Sequence, residues 1–307
     1  MAFQLPSEAN ICRCFQHTKG KMNKDSKITK PGFFTIDVED YYHIIGVRGS
    51  PEISDWDKFP SRVEYGLNRL FELLDSHKAK ASLFFLAYIA QKYPHLVLRA
   101  QALGHEICSH GMYHQEVSRQ SQKDFFEDAH KSRLILEDIS GEAVIGYRSA
   151  GFSIDNRNPW FFDTLLQAGY LYDSSIVPNR LHHRLIPGVQ LYPSKIQTAS
   201  GSICEFPIGI AELAGARLNM FGGGYLRFFP KALLCHMAKQ SILKRPLLVY
   251  IHPREMDPDH PQIPMGLYRK FKSYVNMKSV PDKLTALLEI TEYQRLKDYY
   301  DIHCKQS

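Results

Sequence analysis

Ser109-His110-Gly111-Met112-Tyr113-His114 places two imidazoles four residues apart, a spacing that lets both turn to one side and grip a single metal ion. In a chain with 14 histidines such a pair also arises by chance, so its weight depends on what stands around it. One carboxylate added to the pair makes a two-histidine, one-carboxylate set that leaves positions open for water and substrate. A second carboxylate can act as base toward water whose pKa a bound cation lowers toward roughly 7, and a further histidine can protonate a leaving group. That is metal-assisted hydrolysis of an amide or ester. The protease pattern with Glu after the first histidine is excluded, because Gly111 follows His110.

Such chemistry needs elements that bring distant residues together, and the apolar periodicity supplies them. Gly32 to Val38 reads as a buried strand ending in acid at Asp37, Glu39 and Asp40. Helical spacing from Arg62 to Ser76 is followed by a strand over Lys80 to Leu86, a helix from Pro94 to Leu103, and a strand over Gly104 to Ser109 that delivers His110. Ser121, with Asp124 three residues on, caps a long helix that runs to about Ile139 and closes at Gly141. Val144 to Tyr147 is a strand ending on Arg148, Pro159 to Ala168 a helix stopped by Gly169, and Tyr170 to Tyr172 leads to Asp173. Residues 178–200 read as a long irregular excursion, Ser202 to Phe206 as a strand and Gly222 to Gly224 as a loop. A helix over Pro230 to Gln240 and a strand over Pro246 to Ile251 then bring in His252. Residues 254–279 lack a clear period, and Val280 to Ile290 is a closing helix. Sustained strand-helix alternation predicts an α/β fold: a deformed (β/α) barrel of about seven parallel strands with outer helices. Asp37, His110, Arg148, Asp173 and His252 all fall at strand carboxyl ends, where such folds place their chemistry.

Composition narrows the function classes. The chain of 307 residues is 44% apolar and 23% charged, values of an ordinary globular protein. A formal charge of +6, with the basic residues scattered, argues against nucleic acid and is compatible with an anionic sugar polymer or a headgroup surface. No apolar run reaches the roughly eighteen residues of a membrane span. Residues 1–31 hold no apolar stretch of the secretory kind, so they are expected to be a poorly ordered tail, with Met22 a second candidate start and the cytoplasm the expected location. The cysteines, Cys12, Cys14, Cys108, Cys204, Cys235 and Cys304, form no CxxC pair and are expected to be reduced, with Cys108, Cys204 and Cys235 buried as small apolar residues.

Five segments in order carry a resemblance: Thr35-Ile36-Asp37-Val38-Glu39-Asp40, Ser109-His110 with His114, Tyr147-Arg148-Ser149-Ala150-Gly151-Phe152, Leu171-Tyr172-Asp173-Ser174-Ser175 and Val249-Tyr250-Ile251-His252-Pro253. Over roughly residues 32–290 the chain resembles the polysaccharide deacetylase family, the NodB-homology carbohydrate esterases, and most of all their exopolysaccharide-biosynthesis branch with an Asp-Val-Glu-Asp first motif. The resemblance implies a barrel over 32–290 with 291–307 as a C-terminal extension. It makes Asp37 the catalytic base, His110 and His114 metal ligands, Arg148 the arginine that holds the base ionised and aligned, and His252 the general acid, oriented by Asp173. The third metal ligand is Glu39 or Asp40. Glu39 is favoured, because two residues on from Asp37 returns to the same side of an extended chain. Ala150 stands where the family's third motif usually has proline.

The expected activity is removal of an N-acetyl group from an acetamido sugar in a surface polysaccharide or its precursor, by a hydrolase that holds a divalent metal, expected to be Zn2+. The partner is then an N-acetylated sugar, lipid-linked in one version, with peripheral membrane association and no nucleic acid. Two other readings use the same residues: hydrolysis of a small non-sugar amide, and a catalytically silent glycan-binding or assembly protein. His105, His182 and His183 have no motif support, and Trp56, Tyr41, Tyr42, Phe152 and Tyr225 are candidates to stack on sugar rings.

Overall fold

The computed structural model describes residues 30–178, 186 and 190–305. Residues 1–29 of the tail read at 1–31, and the pair His182 and His183, lie outside the described residues. In chain order the elements are β1 (Gly32–Val38), α1 (Val63–Ser76), β2 (Ala81–Phe85), α2 (Ala87–Lys92), α3 (Pro94–Ala102), β3 (Glu106–Ser109), α4 (Gln122–Ser140), β4 (Gly146–Tyr147), α5 (Phe161–Gln167), β5 (Tyr172–Asp173), β6 (Ser194–Thr198), β7 (Gly201–Glu205), β8 (Ala211–Leu213), β9 (Ala216–Leu218), α6 (Gly223–Phe228), α7 (Lys231–Ile242), β10 (Leu247–Ile251), α8 (Leu267–Tyr274), α9 (Val280–Leu288), β11 (Tyr293–Gln294) and α10 (Leu296–His303).

The main sheet runs β10-β1-β2-β3-β4-β5-β7-β6, all parallel except the last pair, and so contains the seven parallel strands of a deformed barrel. On the side away from β1, β10 bridges to Gly222, which brings the segment after β9 against the open edge. Strands β1, β2 and β10 are buried along their whole length, as parallel strands covered on both faces must be.

Alternation along each strand sorts the side chains into two layers. Phe34, Ile36 and Val38 of β1 join Leu83 and Phe85 of β2 and Val249 and Ile251 of β10 in the core beneath the helices. Phe33, Phe84, Cys108, Tyr172, Leu248 and Tyr250 form a second cluster, the barrel filling. Thr35 and Asp37 share the inward parity of Phe33, so β1 delivers polar groups only at its carboxyl end.

The floor of the barrel is closed by the residues read as a C-terminal extension. β11 pairs with β1, and the first backbone N–H groups of α10 are satisfied inside the floor: Leu296 N donates to Ser82 Oγ at 2.8 Å and Lys297 N to a Glu106 carboxylate oxygen at 3.1 Å. Cys304 at the end of α10 is disulfide-bonded to Cys204 of β7, across a sequence separation of 100 residues. This corrects the expectation that every cysteine is reduced, and Cys235 is only partly buried. The two partners meet only when α10 folds back under the sheet, which spacing along the chain does not reveal.

Other differences are local. The excursion at 178–200 contains β6, paired with β7 as a hairpin, and Gly223 and Gly224 open α6 rather than lying in a loop. The stretch 254–279, read as lacking a period, holds α8, whose Leu267, Tyr268, Phe271 and Tyr274 recur at helical spacing, the first three exposed.

Candidate active site

Asp37 sits at the last inward position of β1 and Arg148 just after β4, and the barrel sets them together. Arg148 Nη1 donates to Asp37 Oδ1 at 2.6 Å and to Thr35 Oγ1 at 3.0 Å; Nε donates to the Ser174 carbonyl at 2.9 Å and Nη2 to Ser174 Oγ at 2.8 Å. The guanidinium is fully buried and lies 4.0 Å above the Phe84 ring. With these donors engaged, its charge is aimed at one carboxylate. Ala150 is buried in a short 3-10 turn, and Arg148 is held by these bonds without a proline there.

His110 and His114 are presented by a loop that only special backbone geometry permits. Gly111 has φ +77°, and a Cβ there would stand 2.8 Å from Asp128 Oδ1. His114 itself has φ 52°, a strained value for a non-glycine residue. The Asp128 carboxylate clamps the turn by accepting from Met112 N at 3.1 and 3.2 Å, and burial pushes that carboxyl up to about 6. Backbone carbonyls fix the orientation of both rings, since His110 Nδ1 donates to the Arg148 carbonyl and His114 Nδ1 to the His43 carbonyl, both at 2.8 Å. With Nδ1 carrying the proton, both Nε2 atoms present lone pairs. Burial, reinforced by the neighbouring His114, pushes His110 down to about 3, so it stays neutral. Burial pulls His114 the same way, but Glu39 outweighs it and raises His114.

Glu39 completes this set. Ligand atoms of Glu39, His110 and His114 lie within 4.8 Å of one another, the one such trio among the described residues. Glu39 Oε2 is buried and meets His114 Nε2 at 2.9 Å. A buried carboxylate oxygen and two imidazole nitrogens converging on one point are the donor set of a divalent cation, so these residues fit a metal. Asp40 points elsewhere. Its carboxylate accepts from Ser61 Oγ, from Arg62 N at 3.0 and 3.1 Å and from Val63 N at 3.4 Å, satisfying the first N–H groups of α1. Glu39→Gln is therefore expected to abolish stoichiometric binding of a divalent metal with little loss of stability. Asp40→Ala is expected to keep the metal and destabilise the fold by about 1–3 kcal/mol, because buried N–H groups lose their acceptor. Metal content by mass spectrometry beside urea unfolding of the two variants checks both.

His252 follows β10 and opens a short 3-10 turn over Pro253–Met256. Its Nε2 is 3.8 Å from Asp37 Oδ2 and 3.6 Å from Glu39 Oε1. The expectation that Asp173 orients it is corrected by the structure: Nδ1 of His252 meets Glu255 Oε2 at 3.2 Å, and the same oxygen accepts from His252 N at 3.0 Å. Glu255 is wholly buried and ion-paired with Arg227. Burial pushes His252 down to about 3, against the pull of Asp37. Gly66 of α1 lets this turn seat closely, since a Cβ there would collide with the Pro253 carbonyl.

Asp173 instead holds the Arg148 loop. It accepts from Ser175 Oγ at 2.7 Å and Ser175 N at 3.0 Å, and Ser175 Oγ in turn accepts from Ser149 N at 2.8 Å. The sheet order explains the change, for β5 and β10 are separated by four strands while Glu255 is three residues from His252. Asp173 also faces Glu205, itself buried. Burial and mutual repulsion raise Glu205 well above the usual carboxylate range, and burial raises Asp173 to about 6. The folded state thus binds a proton that the unfolded chain releases. The stability this contributes is complete in acid, below the ordinary carboxyl range, and is lost as pH rises through about 6 and beyond. Wild-type melting temperature is expected to fall between pH 5 and pH 8. Glu205→Gln, which keeps a hydrogen bond without the titration, is expected to flatten that slope, as melting curves across the range would record.

The fold and this site together define a deformed (β/α) barrel with a metal-ligand trio, an arginine-paired carboxylate and a carboxylate-backed histidine at the strand carboxyl ends. Residues 56–169 match the family model for polysaccharide deacetylase, and residues 174–301 match DUF3473, a domain of unknown function. The two matches follow one another along the chain, and each covers less than half of it. It is 30% identical over 102 residues to a peptidoglycan-N-acetylglucosamine deacetylase of Bacillus cereus, which covers 33% of this chain and 46% of that protein. The chain spans less than half the length of the curated relatives it matches. Among solved structures it is similar to a putative polysaccharide deacetylase from Mycobacterium smegmatis, at TM-score 0.56 and 16% identity over 89% of this chain and 96% of that one. It is likewise similar to Puue allantoinase, at TM-score 0.61 and 16% identity over 92% and 93%. These two likenesses bear on the fold. The site is drawn from both matched segments and from residues outside them: His110, His114 and Arg148 come from the first segment, His252 and Glu255 from the second, Asp37 and Glu39 precede both, and Asp173 lies between them.

Proposed function

We propose that this chain is a metal-dependent N-deacetylase that hydrolyses the acetamido group of a sugar in a surface polysaccharide or its precursor. The observation that carries the reading is the convergence in one cleft of Asp37, ion-paired to Arg148, with His252 and the trio Glu39, His110 and His114. Glu39, His110 and His114 would hold a metal, for which we propose zinc, and it would supply Lewis-acid activation of water and of the acetyl carbonyl. Asp37, kept ionised by Arg148, receives the proton of the attacking water. His252, whose Nδ1–H is directed at Glu255, presents the Nε2 lone pair toward Asp37, so the proton can pass to Nε2 and on to the departing nitrogen. One proton leaves water and one reaches the amine, and the products are acetate and an amino sugar.

The shape of the cleft favours a glycan over a small closed-pocket amide. The catalytic cavity of about 290 Å³ opens on one side, past Ile44 and Ile45, into a hollow of about 650 Å³ bordered by Trp56 and Tyr113. On the other side, past Phe152 and Tyr250, it opens into one of about 690 Å³ bordered by Tyr225. An open groove with aromatic rings on both flanks suits several sugar units. No helix among the described residues is long and apolar enough to cross a membrane. Exposed Leu267, Tyr268 and Phe271 beside Arg269, Lys270 and Lys272 on α8 support peripheral contact with a bilayer and hence a lipid-linked precursor. For the compartment, the Cys204–Cys304 bridge favours an oxidising one over the cytoplasm, and thiol alkylation in intact cells tests this.

The experiment is acetate release from N-acetylated oligosaccharides by zinc-loaded protein. Release that survives both Asp37→Asn and His252→Ala would overturn the assignment. Failure to bind zinc would favour the silent glycan-binding protein.

A further inference from the structure

One wall of the catalytic cavity is made of cations. Arg227 of α6, Arg254 of the turn after β10, and Arg269 and Lys272 of α8 line it together with Asp37, Glu39 and His252. The carboxylates nearby already have partners: Glu255 is paired with Arg227, Asp37 with Arg148, and Glu39 with the two histidines. Among the described residues none of Arg254, Arg269 and Lys272 has a carboxylate within 4.0 Å. Arg254 is only 9% exposed; its Nη2 donates to the Ser273 carbonyl at 3.2 Å, and its buried Nη1 has no partner. Arg269 donates Nη2 to the Ile45 carbonyl at 2.7 Å and leaves a buried Nε without an acceptor. Lys272 is lowered by burial and by the nearby Arg269 and Arg227, a measure of how closely like charges crowd here.

Burying a guanidinium with an unmet donor costs several kcal/mol unless a counter-charge completes it. A metal in the neighbouring trio adds positive charge and makes the imbalance larger. The missing partner is an anion, and a fork of guanidinium donors matches the planar oxygens of a carboxylate or the face of a phosphate.

Resting on the deacetylase reading, we propose that Arg254, Arg269 and Lys272 form a subsite for an anionic substituent that the substrate carries beside its acetamido group. The shared chemistry is an oxyanion on a sugar, and it has two sources: the carboxylate of a uronic acid or the phosphate of a glycosyl phosphate. The wall has the same meaning for either, since it selects charged N-acetylated glycans over neutral ones.

The test is calorimetric binding to zinc-loaded Asp37→Asn protein of glucuronate, glucose 1-phosphate, neutral N-acetylglucosamine and acetate. Expected is at least tenfold tighter binding of one charged sugar than of the neutral one, and the tighter of the two identifies the source. That advantage is expected to vanish in Arg254→Gln and in Lys272→Gln, and to be largely kept in Arg254→Lys. Lys272 is half-exposed, so its variant is expected to fold even if the Arg254 variants do not. Equal binding of charged and neutral sugars overturns the proposal. Acetate bound as tightly as the charged sugars, and lost equally on Arg254→Gln, also overturns it, because the wall would then be a product site. In turnover, Arg254→Gln is expected to raise KM for a charged N-acetylated oligosaccharide about tenfold more than it raises KM for a neutral one. Selective binding of a charged sugar with no acetate released from any substrate would uphold the subsite and overturn the deacetylase reading.

Discussion

Asp37→Asn is expected to lower acetate release about 10²- to 10⁴-fold while the protein stays folded and keeps its zinc. The size follows from what a positioned acid-base group contributes. Folding survives because the amide oxygen can still accept from Arg148 Nη1, the bond that now holds Oδ1 at 2.6 Å. Zinc survives because Asp37 is not one of the three groups gathered at the metal position. Stopped assays of acetate, with metal content and a melting curve on the same sample, separate loss of the base from loss of the site. Activity within a few-fold of wild type would remove Asp37 from the reaction.

Arg148→Met is expected to cost stability as well as rate. The substitution leaves the Asp37 carboxylate, with a side chain only 3% exposed, without its counter-charge, and it strips donors from Ser174 Oγ, Thr35 Oγ1 and the Ser174 carbonyl. Breaking a buried pair by removing one partner costs about 3–5 kcal/mol. Urea unfolding would read that loss, and acetate release is expected to fall with it because Asp37 loses the group that aims it. The double variant Arg148→Met with Asp37→Asn is expected to recover part of the stability and none of the activity, since no buried charge then stands alone. A double variant no more stable than Arg148→Met would show that packing around Phe84, not charge, is what Arg148 supplies.

Much of this arrangement was legible in the sequence where one residue type at one position has a single physical meaning. Ser121 and Gly141 bracket α4 as expected: Ser121 Oγ accepts from Asp124 N, and Gly141 takes the left-handed conformation at φ 69°. Strand parity favoured Glu39 over Asp40, and in the structure both lie in the turn after β1, Glu39 beside the two imidazoles and Asp40 at the start of α1. What stayed hidden depends on contacts between elements. Glu255 behind His252 could have been found locally, since Pro at the first turn position and Glu at the third is a helix-start signature. Asp173 was misplaced because sheet order, not sequence order, decides which strand ends meet. The Cys204–Cys304 bridge and the pairing of β6 needed the finished barrel, whereas α8 carries a helical stripe at Leu267, Tyr268, Phe271 and Tyr274 that could have been read.

The acidic end of β1 carries one last consequence. Asp37, Glu39 and Asp40 are chemically near-interchangeable, yet one engages an arginine, one faces two imidazoles and one seats a helix. Their jobs are assigned by where the backbone sets each, Asp37 at the inward end of β1 and Glu39 and Asp40 in the turn after it, where Glu39 N donates to the Asp37 carbonyl, and not by side-chain type. Deleting Val38 would keep all three acids and shift the frame by one step, sending each to a neighbour's address. What this stretch encodes is a reading frame for carboxylates, and a one-residue slip would scramble it more thoroughly than the loss of any single acid.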